Sequence, residues 1–186
     1  MTQLKSICVY CGSSNEVQPG YILLAKELGK TLAKAGIRLV YGGGGVGLMG
    51  ACAAAANDAG GDVLGIIPRF LLQKERIFEA VEHRIVEDMH TRKQMMFDEA
   101  DAFIVLPGGI GTLEEAVEIL SWARLDLHNK PLAFLDEDGF WDPFFDMMDH
   151  IIDGKFIPED FRTSLIHADT PELAVQALRD NVVERA

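Results

Sequence analysis

Two glycine-rich segments of this 186-residue sequence have the composition of anion-binding loops. The first spans residues 42–50 and the second spans residues 107–112. Each follows a short apolar stretch and precedes a helical pattern, so each predicts a strand, a loop and a helix in succession. Glycine lets backbone NH groups approach an anion closely, and the start of a helix adds unpaired NH groups and a positive dipole end. Two such loops in one small chain predict a ligand that carries phosphate.

The second loop leads into residues that can do acid–base chemistry. Thr112 and Glu115 have the spacing of a capping box, in which Thr112 is the helix N-cap and Glu115 reaches back to its NH group. Upstream, Arg92 and Lys93 fall in the first turn of a predicted helix with Thr91 as its cap. Cations are unfavourable at that end of a helix dipole. The positions of Arg92 and Lys93 would be explained if the two side chains face an anionic substrate or Glu115. The alternative is that they form a basic patch exposed to solvent.

The first loop also matches the dinucleotide-binding fingerprint, because residues 45–50 read Gly-x-Gly-x-x-Gly. This fingerprint predicts an acidic residue at the end of the next strand, where it binds the ribose hydroxyls. The predicted strand 62–67 is instead followed by Pro68 and Arg69, and Asp62 lies at its start. An arginine suits a 2′-phosphate, so an NADP-linked oxidoreductase stays open. Neither loop is followed by the Gly-Lys-Ser/Thr of a Walker A motif.

Short β-branched stretches alternate with amphipathic helical patterns along the chain. This alternation is typical of a parallel sheet covered by helices on both faces. We therefore predict a single α/β domain over residues 1–186, with a Rossmann-like, doubly wound parallel sheet. The predicted strands are 6–11, 37–41, 62–67, 102–106 and 131–135, with weaker candidates at 84–86 and 164–167. The predicted helices are 22–35, 48–59, 113–127, 141–152 and 171–183. Gly36 ends the first of them, and Thr170 is the cap of the last. Residues 68–82 are predicted to form a connection that crosses an edge of the sheet.

Composition and charge exclude several classes of function. Apolar residues make up 48% of the sequence, charged residues make up 25%, and the formal net charge is −12. This acidity argues against a nucleic-acid partner, which requires a basic surface. Because no stretch approaches the roughly 18 apolar residues of a membrane span and the N-terminus has no signal pattern, we expect a cytoplasmic protein with no membrane partner. Cys8 and Cys11 form a C-x-x-C, but Cys8 lies in an apolar predicted strand, so we expect no metal or cofactor.

Four segments carry a resemblance to a known family. They are Cys11-Gly12-Ser13-Ser14, the loop 42–50, Met89-His90-Thr91-Arg92-Lys93, and residues 107–115, which read Pro-Gly-Gly-Ile-Gly-Thr-Leu-Glu-Glu. In this order they resemble the LOG ("Lonely Guy") family of cytokinin-activating phosphoribohydrolases, long catalogued as possible lysine decarboxylases, along nearly the whole chain. Every fixed position of the family motif P-G-G-x-G-T-x-x-E is filled, and Arg92 and Lys93 match its upstream Arg-Lys pair.

The resemblance implies hydrolysis of the N-glycosidic bond of an adenine nucleoside 5′-monophosphate, either AMP or an N6-prenylated cytokinin precursor, to free base and ribose 5-phosphate. It also implies a homodimer with the site completed near the subunit interface. Glu115 would stabilise the oxocarbenium-like ribose or take a proton from the attacking water. Arg92 would hold the substrate and lower the pKa of Glu115 so that this carboxyl stays ionised. The expected substrate- and phosphate-binding positions are Ser13, Ser14, Gly43, Gly44, Gly45, Gly47, Met89, Lys93, Gly108, Gly109, Gly111 and Thr112.

Other functions compete with hydrolysis. A non-catalytic nucleotide carrier or sensor would use the same loops, with Glu115 acting only as a helix cap. A lysine decarboxylase would require pyridoxal phosphate on a lysine, and neither Lys93 nor Lys130 lies in a supporting motif. Specificity for a prenyl group would depend on residues 68–82 and on a partner subunit.

Overall fold

The computed structural model describes residues 4–72 and 76–184. Within these residues seven strands form one parallel sheet in the order β4-β3-β2-β1-β5-β6-β7. The strands are β1 Ser6–Tyr10, β2 Arg38–Tyr41, β3 Val63–Pro68, β4 Glu82–Val86, β5 Ala102–Val105, β6 Leu132–Leu135 and β7 Ile166–Ala168. The helices are α1 Pro19–Lys34, α2 Gly47–Asp58, α3 Met89–Asp98, α4 Ile110–Arg124, α5 Asp142–Asp153 and α6 Pro171–Glu184, with short 3₁₀ helices at Arg69–Leu71 and Glu159–Ser164. None of the helices in these described ranges combines the length and apolar character that crossing a bilayer requires.

The sheet separates two hydrophobic layers, which explains why its central strands are almost entirely apolar. Every residue of β1, β3, β5 and β6 is buried. One layer packs under α1, α2 and α6, and the other packs under α3, α4 and α5. Because both faces are covered, successive side chains along a strand are apolar, except for Ser6 at the start of β1, whose hydroxyl is hydrogen-bonded to Asp101. The prediction of a doubly wound, Rossmann-like α/β fold is confirmed.

The predicted strand bounds agree with the observed ones to within one residue for β1, β2, β3, β5 and β6. The edge strand β4 begins two residues earlier than predicted, and β7 begins two residues later because Glu159–Ser164 forms a 3₁₀ helix. Gly36 has a φ of 65° just beyond α1, as expected for the residue that ends a helix. Thr170 is confirmed as the cap of α6, since its Oγ1 accepts a hydrogen bond from the NH of Leu173 at 3.3 Å.

The chain leaves β1 in one direction for β2, β3 and β4, and later returns beside it to build β5, β6 and β7. The loops after β1 and β5 therefore diverge to opposite faces of the sheet and leave a crevice between them. The NH of Gly12 donates to the carbonyl of Pro107 at 3.1 Å and joins the two loops at the base of this crevice. The fold thus places a ligand site between β1 and β5.

The C-x-x-C pair is divided between the two hydrophobic layers. Cys8 packs under α3, α4 and α5, whereas Cys11 packs with Cys52 under α1, α2 and α6. All three thiols are free and buried, and burial raises the pKa of each above its ordinary value. Because reactive cysteines are accessible thiolates, these three side chains serve as small core residues.

Candidate active site

A pocket of about 430 Å³ opens at the carboxyl ends of β1 and β5. Its walls come from the loop after β1, from α2, from the 3₁₀ helix Arg69–Leu71, from α3 and from the start of α4. The lining comprises Cys11, Gly12, Ser13, Met49, Phe70, Leu71, Met89, Arg92, Gly109, Ile110, Gly111, Thr112, Glu114 and Glu115. The residues predicted for the site that meet in this pocket are Ser13, Met89, Arg92, Gly109, Gly111, Thr112 and Glu115.

The second glycine loop forms the start of α4 itself. Gly109 is the N-cap and α4 begins at Ile110. The first helical bond, from the NH of Leu113 to the carbonyl of Gly109 at 3.0 Å, closes before Thr112 can act as a cap. The predicted capping box is therefore wrong, because Thr112 lies inside the first turn and Glu115 lies one turn further along. Glu115 is free for other contacts.

The start of α4 is open to the pocket and suited to an anion. The NH groups of Ile110, Gly111 and Thr112 precede the first intrahelical bond, so they have no carbonyl partner within α4. A Cβ added to Gly109 or Gly111 would meet nothing within 4 Å. At Gly108 it would lie 2.2 Å from Thr112 Oγ1, so this glycine permits close packing instead. The first turn carries no acidic residue, which leaves the positive end of the helix dipole unopposed.

Arg92 and Glu115 form a buried ion pair in the pocket lining. Nη1 of Arg92 donates to Glu115 Oε1 at 3.3 Å, and the two side chains are 7% and 10% exposed. Arg92 also donates from Nε to the carbonyl of Ile66 at 3.2 Å and from Nη2 to the carbonyl of Gly42 at 3.4 Å. A Cβ at Gly42 would lie 2.1 Å from Nη2, so this glycine makes room for the guanidinium. The solvated-patch alternative is wrong for Arg92.

Burial makes Glu115 a carboxyl that titrates near neutrality. Loss of water around it raises its pKa from 4.5 to about 7. Arg92 and Lys93 oppose this rise, while Glu114 and Glu118 add to it. Arg92 does lower the pKa of Glu115, as expected, but burial raises this pKa by more than the cation lowers it. A carboxyl with a near-neutral pKa can both accept and release a proton at physiological pH.

Helix α3 directs Arg92 and Lys93 to different places. Its N-cap is Asp88, whose Oδ1 accepts a hydrogen bond from the NH of Thr91 at 2.8 Å, so Thr91 lies within the first turn and is not the cap. This backbone hydrogen bond lowers the pKa of Asp88. Nζ of Lys93 lies 2.6 Å from Glu114 and 2.9 Å from a second carboxylate on α4, that of Glu118. Lys93 therefore bridges α3 to α4 beside the pocket and is not part of its lining.

The first glycine loop packs against the protein's own backbone. The NH of Gly45 donates to the carbonyl of Arg76 at 2.6 Å, and the NH of Gly47 donates to Asn15 Oδ1 at 2.8 Å. A Cβ at Gly47 would lie 2.5 Å from the carbonyl carbon of Ser13. The positions predicted to bind the substrate that lie outside the pocket lining are Ser14, Gly43, Gly44, Gly45, Gly47, Lys93 and Gly108.

The dinucleotide fingerprint in this loop is accounted for by packing. It follows β2, whereas the switch point lies between β1 and β5. A Cβ at Gly50 would lie 2.3 Å from the carbonyl oxygen of Gly45, so these two glycines allow the loop to fold onto its helix. Arg69, the candidate for a 2′-phosphate, pairs with Glu87 at 3.4 Å. The NADP interpretation thus loses the backbone on which it depended, and its arginine already has a carboxylate partner at the surface.

Comparison with known proteins gives the family. The protein-family model described as "Possible lysine decarboxylase" matches residues 49–178. The cytokinin riboside 5′-monophosphate phosphoribohydrolase LOG of Oryza sativa subsp. japonica is 47% identical over 184 residues, which cover 98% of this chain and 76% of that protein. A second enzyme of this name, LOG3 of Arabidopsis thaliana, is 42% identical over 96% of this chain and 84% of its own length. The chain belongs to the LOG family.

A solved structure shares the fold at lower identity. The molybdenum cofactor carrier protein of Chlamydomonas reinhardtii superimposes with a TM-score of 0.73 at 21% sequence identity, over 97% of this chain and 99% of that one. At this identity the likeness concerns the fold alone. The resemblance to the LOG family that the sequence motifs carry is confirmed by the relatives.

One wall of the pocket in this LOG family member is apolar and was largely missed by the sequence analysis. Met49 and Met89 come from α2 and α3, and Phe70 and Leu71 come from the 3₁₀ helix after β3. The segment 68–82 was expected to affect specificity, but these individual residues were not identified. A usable signal was present, since the apolar run from Phe70 follows the carboxyl end of a strand, where ligand-binding loops gather.

The lysines that a decarboxylase would need do not face the pocket. Nζ of Lys130 donates to the carbonyl of Phe97 at 2.6 Å and lies 3.9 Å from the centroid of its ring. Lys130 lies just before the amino end of β6, whereas the pocket opens at the carboxyl ends of the parallel strands β1 and β5. Lys93 is held by Glu114 and Glu118. The family model's description as a lysine decarboxylase therefore has no lysine in the pocket to support it within the described part of the chain.

Proposed function

We propose that the protein hydrolyses the N-glycosidic bond of adenine nucleoside 5′-monophosphates, AMP or N6-prenylated cytokinin nucleotides, to the free base and ribose 5-phosphate. One observation carries this proposal: the buried Arg92–Glu115 pair lies in the same pocket as the open start of α4. The cytokinin riboside 5′-monophosphate phosphoribohydrolases of rice and Arabidopsis, at 42–47% identity, support this substrate class. The proposed reaction requires water and the side chains of the pocket, without metal or cofactor.

The 5′-phosphate binds at the start of α4 in this proposal. Its oxygens accept hydrogen bonds from the open NH groups of Ile110, Gly111 and Thr112, with the NH of Gly109 and the Thr112 hydroxyl as further donors. Glu115 follows Thr112 by three residues, which is about 4.5 Å along a helix axis. A ribose has similar dimensions, so a phosphate at the helix start brings the sugar beside this carboxyl.

Glu115 then acts on the ribose. As the bond between C1′ and the base nitrogen breaks, its electron pair leaves with the base and positive charge develops on the ribose. The Glu115 carboxylate stabilises that charge and takes a proton from the attacking water, whose oxygen bonds to C1′. The base nitrogen takes up one proton to complete the free base, and Glu115 releases the proton that it took from water, so the net reaction adds one water across the bond. Arg92 orients Glu115 through the 3.3 Å contact and keeps a cation beside it.

The base lies against the apolar wall formed by Met49, Phe70, Leu71 and Met89. Phe70 is 45% exposed and Met89 is 36% exposed, so ligand atoms can reach both side chains. Such a wall accepts a purine ring and any apolar group on its N6 atom.

A substrate panel tests the proposal directly. Purified protein is incubated with AMP and with N6-prenyladenosine 5′-monophosphates, and free base and ribose 5-phosphate are measured. Release of both products, lost in Glu115→Ala, is expected. Absence of free base from every 5′-monophosphate, or an undiminished rate in Glu115→Ala, would overturn it. Tight AMP binding without turnover would identify a nucleotide carrier or sensor instead.

We also propose a homodimer in the cytoplasm, with α4 at the interface beside the pocket. Ile110, which also lines the pocket, is 85% exposed, and Val117, two turns further along α4, is 46% exposed. Apolar side chains grouped next to a pocket are typical of a surface that another protein covers. Sedimentation equilibrium is expected to give twice the chain mass for the wild type and the chain mass for Val117→Glu. A monomeric wild type would contradict this assembly.

A further inference from the structure

A histidine ring lies across the sheet in the space left by a glycine. Tyr41, Gly65 and His83 occupy paired positions on β2, β3 and β4, so they point to one face of the sheet. A Cβ at Gly65 would lie 2.7 Å from Cδ2 and 2.8 Å from Nε2 of His83. The missing side chain lets the His83 ring lie over β3, with the edge of the Tyr41 ring toward it at a centroid distance of 6.4 Å.

From this position the ring reaches the first glycine loop. Nε2 of His83 lies 3.3 Å from the carbonyl oxygen of Gly43, and Nδ1 lies 2.9 Å from the carbonyl oxygen of Val81. A carbonyl only accepts hydrogen bonds, so each contact forms when the ring nitrogen carries hydrogen. A neutral imidazole donates to one of the two carbonyls, and an imidazolium donates to both. When Nε2 carries the hydrogen, His83 ties the edge strand β4 to the loop after β2.

The peptide that His83 holds is next to the one that holds Arg92. The carbonyl of Gly42 accepts a hydrogen bond from Nη2 of Arg92 at 3.4 Å, and Nη1 of the same guanidinium contacts Glu115. Gly43 has a φ of 81°. Glycine is favoured in this conformation, so the loop has no side chain of its own at this position that could hold the peptide in place. The contact to His83 adds a side-chain hydrogen bond to this part of the loop, beside the bonds that Gly45 and Gly47 make further along it.

We propose that His83 is a positioning residue: by holding the carbonyl of Gly43 it fixes the adjacent Gly42 carbonyl, and so the placement of Arg92 against Glu115. The catalytic consequence rests on the proposed function, but the structural consequence does not. If the loop moves, Arg92 loses its orientation and the cation beside Glu115 recedes. Loss of a neighbouring cation raises the pKa of a carboxyl, so the titration of Glu115 reports on His83 from a distance.

Carbon-13 NMR of the side-chain carboxyl of Glu115 measures this titration without requiring activity. Glu115→Gln assigns the resonance. The matched variants are His83→Leu, which removes the donor, and His83→Gln, whose amide NH can reach the Gly43 carbonyl. His83→Leu is expected to raise the pKa of Glu115 by about half a pH unit to one pH unit, since a full neighbouring cation lowers it by about 1–3. His83→Gln is expected to keep the wild-type value.

Gly65→Ala provides a second route to the same effect while His83 stays in the chain, because its methyl group would lie 2.7 Å from the ring and 3.0 Å from the Cα of Gly43, in the loop that the ring contacts. The other charged groups around Glu115 are Lys93, Glu114 and Glu118, and they are unchanged in all three variants. An unshifted Glu115 titration in both His83→Leu and Gly65→Ala would overturn the proposal. Equal shifts in His83→Leu and His83→Gln would also overturn it, because packing would then replace the hydrogen bond as the cause.

Activity separates this inference from the proposed function. With AMP as substrate, the rise of kcat/KM with pH is expected to move upward in His83→Leu by the same amount as the NMR titration, with the rate retained at high pH. A wild type that releases no base from any 5′-monophosphate refutes the proposed function, and the NMR comparison still decides the role of His83.

Discussion

Glu115 should lower the stability of the folded protein at neutral pH, and Glu115→Gln should recover that stability while abolishing hydrolysis. The Glu115 side chain is buried, 10% exposed, and the pKa of its carboxyl is raised from 4.5 to about 7. At about 1.4 kcal/mol per pH unit, this rise corresponds to about 3 kcal/mol. Glutamine has nearly the same shape, keeps an oxygen that can accept from Arg92, and carries no charge to desolvate.

The direction of the pH dependence follows from proton binding. Between pH 4.5 and pH 7 the folded protein holds a proton on Glu115 that the unfolded chain has released. Stability from this group is therefore fully present below pH 4.5 and is lost as the pH rises through about 7. At pH 8 the wild type should be less stable than Glu115→Gln by about 1–3 kcal/mol. At about pH 5 the difference should fall below about 1 kcal/mol, because Glu115 is then protonated in the folded state and the unfolded chain has only begun to gain from releasing its proton.

Urea unfolding followed by tryptophan fluorescence, at several values between about pH 5 and pH 8, measures the difference. Other titrating groups cancel because both proteins contain them. Glu137→Gln, at an exposed position of the loop after β6, is the matched control and should follow the wild type throughout. A Glu115→Gln protein that is less stable than the wild type at pH 8 would refute the reasoning, because the attraction of Arg92 would then exceed the cost of burial. A difference independent of pH would refute it as well.

Arg92→Met should lower kcat/KM about 10²–10³-fold. It should also shift the rise of kcat/KM to higher pH, because the pKa of Glu115 increases without the cation, and a pH–rate profile measures both effects. Gly111→Ala should fold with an unchanged melting temperature, since its methyl group meets nothing within 4 Å. In steady-state kinetics it should raise KM for AMP about tenfold, or about 1.4 kcal/mol, because the methyl group occupies space that the phosphate needs. Gly42→Ala should lose about 1–3 kcal/mol in urea unfolding because its Cβ would lie 2.1 Å from Arg92, whereas Gly20→Ala, with nothing within 4 Å, should lose none.

The fold was predictable because its signals are local. The central strands are continuous apolar runs and the helices repeat at their own period, so neither depends on distant residues. The edge strands were harder to place. In β4 only Val86 is fully buried, and β7 has three residues, one of them exposed. Half-exposed edge strands lack the apolar run that marks a buried one, and β7 also follows a 3₁₀ helix that carried no signal of its own.

Helix starts were predicted less well because a residue that satisfies a capping rule is not always the one at which the helix begins. Thr112 with Glu115 and Thr91 at the start of α3 each satisfy a capping rule, yet Gly109 and Asp88 are the N-caps. The choice depends on where the strand before the helix ends and which side chains the helix must bury. Glu115 had to lie one turn inside α4 to reach Arg92, which is 23 residues away in the sequence.

The two glycine loops show why the site was only partly predictable. Glycine indicates that something approaches the backbone closely, but it does not indicate whether that is a ligand or the protein itself. In the first loop the neighbour is the protein, since a Cβ at Gly45 would lie 2.8 Å from the Ile77 carbonyl. In the second loop Gly109 and Gly111 face open space in a pocket. The first loop therefore contributes through Gly42, whose missing side chain admits Arg92, and the second contributes by leaving the start of α4 free for a phosphate.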